Sequence, residues 1–200
     1  MGTNIQQSII SNQSWSPTPL TKAKTLSKKL DIDLWLKRED CTTVGSFKIR
    51  GALVSISEYI KTLNSKTRKT GICVASAGNF AIAIATVTNQ FNIQTTVFVP
   101  EDATPSKIKK IKSTGATIFK RGTDFDESKF FAKQFSEINN LEFLEDGVLE
   151  GMVLGSGTIA EEILQISNDW DAFIVPIGNG SLIKGIGMKI KNIFPKTKII

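Results

Sequence analysis

The chain has 200 residues, 40% of them hydrophobic and 22% charged, with a formal net charge of +6; this is enough for a core that folds without staples, and it describes a soluble globular chain. There is no histidine, which excludes a Ser-His-Asp triad, a Cys-His pair and a histidine-built zinc site, so acid–base chemistry falls to lysine, the carboxylates or a bound cofactor. Cys41 and Cys73 lack metal-ligand spacing and follow no secretory segment, so free thiols, no metal and a cytoplasmic location are expected, and no segment is long enough to span a membrane.

Residues 1–30 open with a polar arm and then "SWSPTPL", whose prolines demand extended backbone around Thr18. "DLWLKRE", Asp33 to Glu39, alternates like a strand. "RGALVSISEYIKTL" has the pattern of an amphipathic helix ending near Leu63, followed by a polar loop rich in lysine and threonine. From Gly71 a regular alternation begins. "GICVASA", "QTTVFVP", "ATIFKRG" and "LEFLED" have the pattern of strands, and "NFAIAIATVTNQF", "PSKIKKIKST" and "DFDESKFFAKQFSEI" that of helices between them. Such alternation with tight connections implies right-handed crossovers and a parallel sheet covered on both faces. In "SKIKKIKSTG" a helix puts Ile108 and Ile111 inward and the lysines outward; a solvated face is preferred to a nucleic-acid patch. A second run follows: helix "GTIAEEILQIS", strand "DAFIVPIGNG", helix "SLIKGIGMKIKNIF" and the start of a strand at "TKII".

Three segments sit where a parallel sheet places a ligand, beyond the carboxyl ends of strands. "SAGN", Ser76 to Asn79, joins a strand to a helix whose first N–H groups favour an anion; the alternative is a plain N-cap made by Asn79. "PIGNGSL", Pro176 to Leu182, can form a nest of backbone N–H donors suited to phosphate. In "VGSFKIRGA", Lys48 is either an ordinary solvated charge or an amine desolvated by Phe47 and Ile49, as a Schiff-base lysine requires.

The stretches "KREDCTTVGSFKIRGA", "SAGNFAIAIA", "PEDATPSKIKKIKSTGATI", "GSGTIAEEI" and "VPIGNGSLIKGI" occur in that order, and together they resemble the fold-type II pyridoxal-phosphate enzymes. "SFKIRGA" resembles most the threonine and serine dehydratase and serine racemase branch. The resemblance implies an α/β fold of two three-layer αβα domains with parallel sheets. Residues 51–147 would form the small domain, and 1–50 with 148–200 the large, cofactor-binding domain. It implies pyridoxal 5'-phosphate as cofactor. Lys48 would anchor it, Phe47 would pack beside its ring, and Asn79 would hydrogen-bond its phenolic oxygen. Gly178, Asn179, Gly180, Ser181 and Leu182 would hold its phosphate, while Ser76, Ala77 and Gly78 would receive the substrate carboxylate.

Two details depart from the branch pattern. Asn179 and Ser181 interrupt what is usually a run of glycines, closer to threonine-synthase-like members, and Phe80 stands where dehydratases usually carry histidine. Members of the family also continue beyond the equivalent of Ile200, so an incomplete large domain is expected. The expected activity is β-elimination of threonine or serine to a 2-oxo acid and ammonia, by a homodimer if the full domain is present. Replacement chemistry, racemisation or a truncated non-catalytic chain are the competing readings. Neither nucleic acid nor membrane is expected as a partner.

Overall fold

The structure is a computed structural model and describes residues 16–62 and 69–200. The expected polar arm before Ser16 and most of the lysine- and threonine-rich loop after α2 lie outside the described residues. The first elements are β1 (Leu20–Lys22), α1 (Lys24–Leu30) and β2 (Trp35–Lys37). β1 and β2 pair antiparallel, with Leu20 opposite Lys37. Helix α1 falls after the "SWSPTPL" stretch, where the sequence reading assigns no element; it is one short run with no buried residue and no side-chain cap.

A four-stranded parallel sheet follows, formed by β3 (Ile72–Ala75), β4 (Thr95–Val99), β5 (Thr117–Lys120) and β6 (Glu142–Leu144) in the order β5-β4-β3-β6. Between them run α2 (Lys48–Thr62), ahead of β3, then α3 (Asn79–Gln90), α4 (Pro105–Lys112) and α5 (Phe125–Ile138). All four expected strands are present and parallel. Alternate residues serve opposite faces, as the pleat requires. Ile72, Val74, Val97 and Val99 pack with α2 and α3 residues such as Ile56, Phe80 and Ile84. Cys73, Ala75 and Phe98 pack on the other side with Ala132, Phe131 and Phe135 of α5. In α4 Ile111 is fully buried and Ile108 half-buried, while the lysines face outward. The remaining elements are α6 (Glu150–Leu164), β7 (Ala172–Phe173), α7 (Ser181–Ile193) and β8 (Lys198–Ile199), with β7 and β8 parallel. Among the described residues no helix is long and apolar enough to cross a membrane, and both cysteines are free.

Two helix starts differ from the sequence expectation. α2 begins at Lys48 rather than Arg50, so Lys48 is its first residue. α6 begins at Glu150, seven residues before the expected Gly157. Gly151, Gly155 and Gly157 look like helix breakers, yet each is needed for a close crossing. A β-carbon on Gly155 would stand 2.5 Å from the Arg50 carbonyl carbon and oxygen, and one on Gly51 would stand 2.6 Å from the Met152 Cα. The α2 and α6 backbones therefore touch where glycine permits it, which outweighs the ordinary helix cost of glycine.

That contact encloses Arg50, which has no exposed side-chain surface. Its Nε and Nη2 donate to the Glu39 carboxylate at 2.8 Å each, and its Nη1 and Nη2 donate to Glu162 at 2.7 and 2.9 Å. Thr158 Oγ1 accepts at 2.8 Å and Thr18 Oγ1 at 3.1 Å. Lys37 Nζ donates to Glu162 Oε2 and to the Thr18 carbonyl, both at 2.6 Å. Two cations thus meet two anions, and each guanidinium nitrogen has a partner, the condition under which buried charge is tolerated. Burial pushes the Glu162 carboxyl up, but the hydrogen bonds and charges of Arg50 and Lys37 outweigh it and hold it below its ordinary value. Burial likewise opposes the Arg50 charge, and Glu162 and Glu39 overcome it, raising the guanidinium further above its ordinary range.

Two outcomes follow from this packing. Gly155→Ala lowers stability by about 1–3 kcal/mol, whereas Gly187→Ala, on α7 with no neighbouring atom within 4 Å, raises it by about 0.5–1 kcal/mol; urea denaturation of both variants measures the contrast. The Glu162 contribution is fully present above the ordinary carboxyl value of 4.5 and is lost as pH falls through the lower folded value. Glu162→Gln costs about 3–5 kcal/mol at neutral pH and flattens the acid limb of the stability curve, which a pH series of thermal midpoints records.

Candidate active site

Lys48 opens α2 on a sharp approach. Gly45 has a φ of +72°, and the Thr42 hydroxyl bonds both the Ser46 N–H and the Ser46 carbonyl at 2.9 and 2.8 Å. This turn sends successive side chains in different directions. Phe47 packs against the cluster formed by Ile159, Val175 and Ile186, alongside Leu182 of α7. Ile49 is 1% exposed in the main core, so it does not supply the apolar wall expected beside Lys48. Lys48 itself is 12% exposed, with its Nζ 5.1 Å from the centroid of the Phe47 ring. The amine donates to both oxygens of Asp146, at 2.7 and 2.8 Å. The lysine is therefore shielded but held by a carboxylate. The Ser46 hydroxyl, buried two residues before it, has no hydrogen-bond partner among the described residues.

Asp146 lies just past the carboxyl end of β6, and the following Gly147, at a φ of +91°, reaches the glycine loop. A β-carbon on Gly147 would stand 3.1 Å from the Asn179 Cβ. The Asp146–Gly147 turn thus touches Lys48 with one residue and the 178–182 segment with the next. In that segment Gly180 has a φ of +87° and caps α7 by backbone alone. Chain neighbours aside, no atom lies within 4 Å of where a β-carbon would stand on Gly178 or Gly180, so the loop faces open space. The first-turn N–H groups of α7 at Leu182 and Ile183 have no intrahelical acceptor. The Ser181 N–H and hydroxyl both donate to the Asn179 Oδ1, at 3.2 and 2.9 Å. The loop is open, but the Ser181 donors are turned onto their own chain.

Ser76, Ala77 and Gly78 follow β3, the strand paired in parallel with β6. Val74 is opposite Leu144, and two residues further along each strand stand Ser76 and Asp146, on the same edge of the sheet. The Ser76 hydroxyl accepts from the Gly78 N–H at 3.1 Å. Gly78, not Asn79, is the N-cap of α3, and no side chain caps that end. Asn79 is exposed at the first helical position, which removes the plain N-cap explanation for it. Phe80 is 2% exposed in the core.

Asp146 is the site residue that sequence reasoning misses. Its signal is modest: the second of two acids ending a strand pattern, followed by a glycine. Glu145 turns the other way, to Lys129 and to Lys133, and these two cations hold its carboxyl below the ordinary value despite some burial.

The family described as "Pyridoxal-phosphate dependent enzyme" matches residues 12–200. The biosynthetic L-threonine dehydratase IlvA of Haemophilus influenzae is 34% identical over 183 residues, covering 92% of this chain and 35% of its own. The processed form of threonine deaminase isoform 2 from Solanum lycopersicum superposes with a TM-score of 0.86 at 30% identity, covering 99% of this chain and 54% of that one. Maize serine racemase gives a TM-score of 0.87 at 26% identity, covering 99% and 59%. The chain thus spans about a third of the length of that dehydratase and over half of each solved chain.

The two open glycines separate conformation from space. Gly180→Ala costs about 1–2 kcal/mol because its φ is left-handed, while Gly178→Ala stays within about 0.5 kcal/mol of the parent; chemical denaturation of the pair measures the difference.

Proposed function

The chain belongs to the pyridoxal-phosphate dependent enzymes, and from that premise we propose that it serves in β-elimination of threonine or serine to a 2-oxo acid and ammonia. One observation carries the assignment of the site. A shielded lysine and an open glycine loop at a helix N-terminus are joined through a single two-residue turn, Asp146–Gly147, at the carboxyl edge of a parallel sheet.

The residues present fit the cofactor. Lys48 supplies a primary amine with little exposure, beside the ring of Phe47 and near an unpartnered buried hydroxyl on Ser46. Gly178, Asn179, Gly180, Ser181 and Leu182 offer a loop with open approach, a left-handed glycine and the positive end of α7, which suit a phosphate. Asn79 would meet the phenolic oxygen. Pyridoxal phosphate, when bound, supplies an electron sink for carbanion charge beside an amino group.

The chain's own residues account for the remaining tasks. Lys48 holds the cofactor covalently, and its freed amine takes the α-proton from the substrate. Ser76, Ala77 and Gly78 orient the substrate carboxylate, with the first N–H groups of α3 favouring negative charge there. The one lysine is both anchor and base, so the scheme needs no histidine, and none is present. The similarity to a threonine dehydratase supports elimination over replacement. Racemisation is the second reading, favoured by the superposition on maize serine racemase.

The same reading includes a small lobe over residues 51–147 and a cofactor lobe over 1–50 with 148–200. The four-stranded sheet, which falls wholly inside the first range, supports that division. A homodimer and a cytoplasmic location complete it.

Incubation with pyridoxal phosphate is expected to produce a visible absorbance band that is absent in Lys48→Ala. With threonine or serine, the loaded protein is expected to release ammonia and 2-oxo acid. A parent chain without the band overturns the cofactor assignment, and a band with D-amino acid as the product overturns elimination in favour of racemisation.

A further inference from the structure

The Lys48–Asp146 pair has a role that the elimination scheme leaves open. Lys48 donates to both oxygens of one carboxylate, at 2.7 and 2.8 Å, from a side chain only 12% exposed. Asp146 is 29% exposed and stands at the sheet edge with Ser76. The adjacent acid, Glu145, is engaged by Lys129 and Lys133 of α5. Consecutive carboxylates therefore leave the strand on opposite sides, one toward a surface helix and one toward the site.

The pair does not read as a fastening of the fold. α2 is already tied beside Lys48 by the Arg50 network and by the glycine contacts with α6. An isolated, partly exposed ion pair adds little to that. What Asp146 does that the network does not is hold the amine placed to react, with two of its three N–H bonds occupied.

We infer that Asp146 is a positioning residue that parks the Lys48 amine on its two carboxylate oxygens until the cofactor takes that amine up. This rests on the assignment of Lys48 as the anchoring lysine. An amine held by two charge-assisted hydrogen bonds must break them before it can attack, so Asp146 slows the reaction of Lys48 with any electrophile. In return it keeps the free amine at the site instead of letting the flexible stem swing to solvent. Gly147, packed on Asn179, keeps the same turn in register with the glycine loop. Asp146 thus acts on the loop end and on the lysine from one short piece of chain.

The test uses the full chain, cofactor-free, in its parent, Asp146→Asn and Asp146→Glu forms. Acetic anhydride at limiting concentration labels the lysines, and peptide mass spectrometry reads the fraction modified at Lys48 against that at exposed lysines such as Lys109 and Lys110. Asp146→Asn keeps the size of the side chain and removes its charge, so Lys48 is expected to acylate about threefold to tenfold faster. Asp146→Glu keeps the charge and is expected to stay near the parent rate. The rate at which the absorbance band grows on adding pyridoxal phosphate is expected to rise in Asp146→Asn in the same proportion.

Equal or slower labelling of Lys48 in Asp146→Asn overturns the inference, as does an equal change in both variants. If Asp146→Asn does not fold, as read by its thermal midpoint, the pair is a fastening of the fold and the inference fails. Faster labelling in Asp146→Asn without a band in any form supports the inference, while the cofactor assignment alone is lost.

Discussion

A single guanidinium holds the start of α2 in place. Arg50 lies in the crossing of α2 and α6 with no exposed side-chain surface, gripped by Glu39 from one side and Glu162 from the other. A charge in such a place is tolerable only if each donor finds an acceptor, and that requirement is strict in geometry. It draws in the extended segment at Thr18, strand β2 through Lys37, the turn carrying Glu39, and the middle of α6. Three stretches of chain remote in sequence, at Thr18, Lys37–Glu39 and Glu162, are thus fixed around one point. Lys48 stands two residues before that point, on the same first turn of the helix. The backbone at Lys48 moves only if the strongly constrained Arg50 moves with it.

The glycine contacts complete that restraint. Charge fixes the α2 terminus in direction, and the near-touching backbones at Gly51, Gly151 and Gly155 fix its distance from α6. α6 in turn meets α7 closely, at Gly157 and Gly185. Because α7 begins at the open loop, the spacing between the lysine and that loop passes through three helices in direct backbone contact. The Asp146–Gly147 turn spans the same gap by a second, independent route.

Much of this was legible in the chain, and the unread parts have physical causes. The two central strands show in the apolar, partly β-branched runs "GICVASA" and "QTTVFVP", because a strand buried on both faces has little choice of residue. The edge strands in "ATIFKRG" and "LEFLED" mix apolar with polar residues and show by their place between helices. Lys48 and the 178–182 loop stood out because glycines and an isolated amine at strand or helix ends are local features. Arg50 did not. Its acceptors lie 11 and 112 residues away, and no local pattern distinguishes an arginine that will be buried. The first turns of α6 were hidden for a related reason: Gly151 and Gly155 are poor helix formers whose benefit lies entirely in a neighbouring helix. Asp146 was hidden because period-two alternation gives no hint that Glu145 and Asp146 will find cations on opposite sides.

Asn179 interrupts the glycine loop, and its carboxamide has a consequence for any anion that arrives there. Its Oδ1 takes the Ser181 N–H and hydroxyl, so the first two polar donors of α7 already have an acceptor. A phosphate that claims those donors must displace the internal acceptor, and its net gain is the difference between two caps instead of the whole of one. An uninterrupted run of glycines would offer the same donors with no occupant to evict. The loop therefore trades strength of grip for Ser181 donors that are satisfied from within the chain.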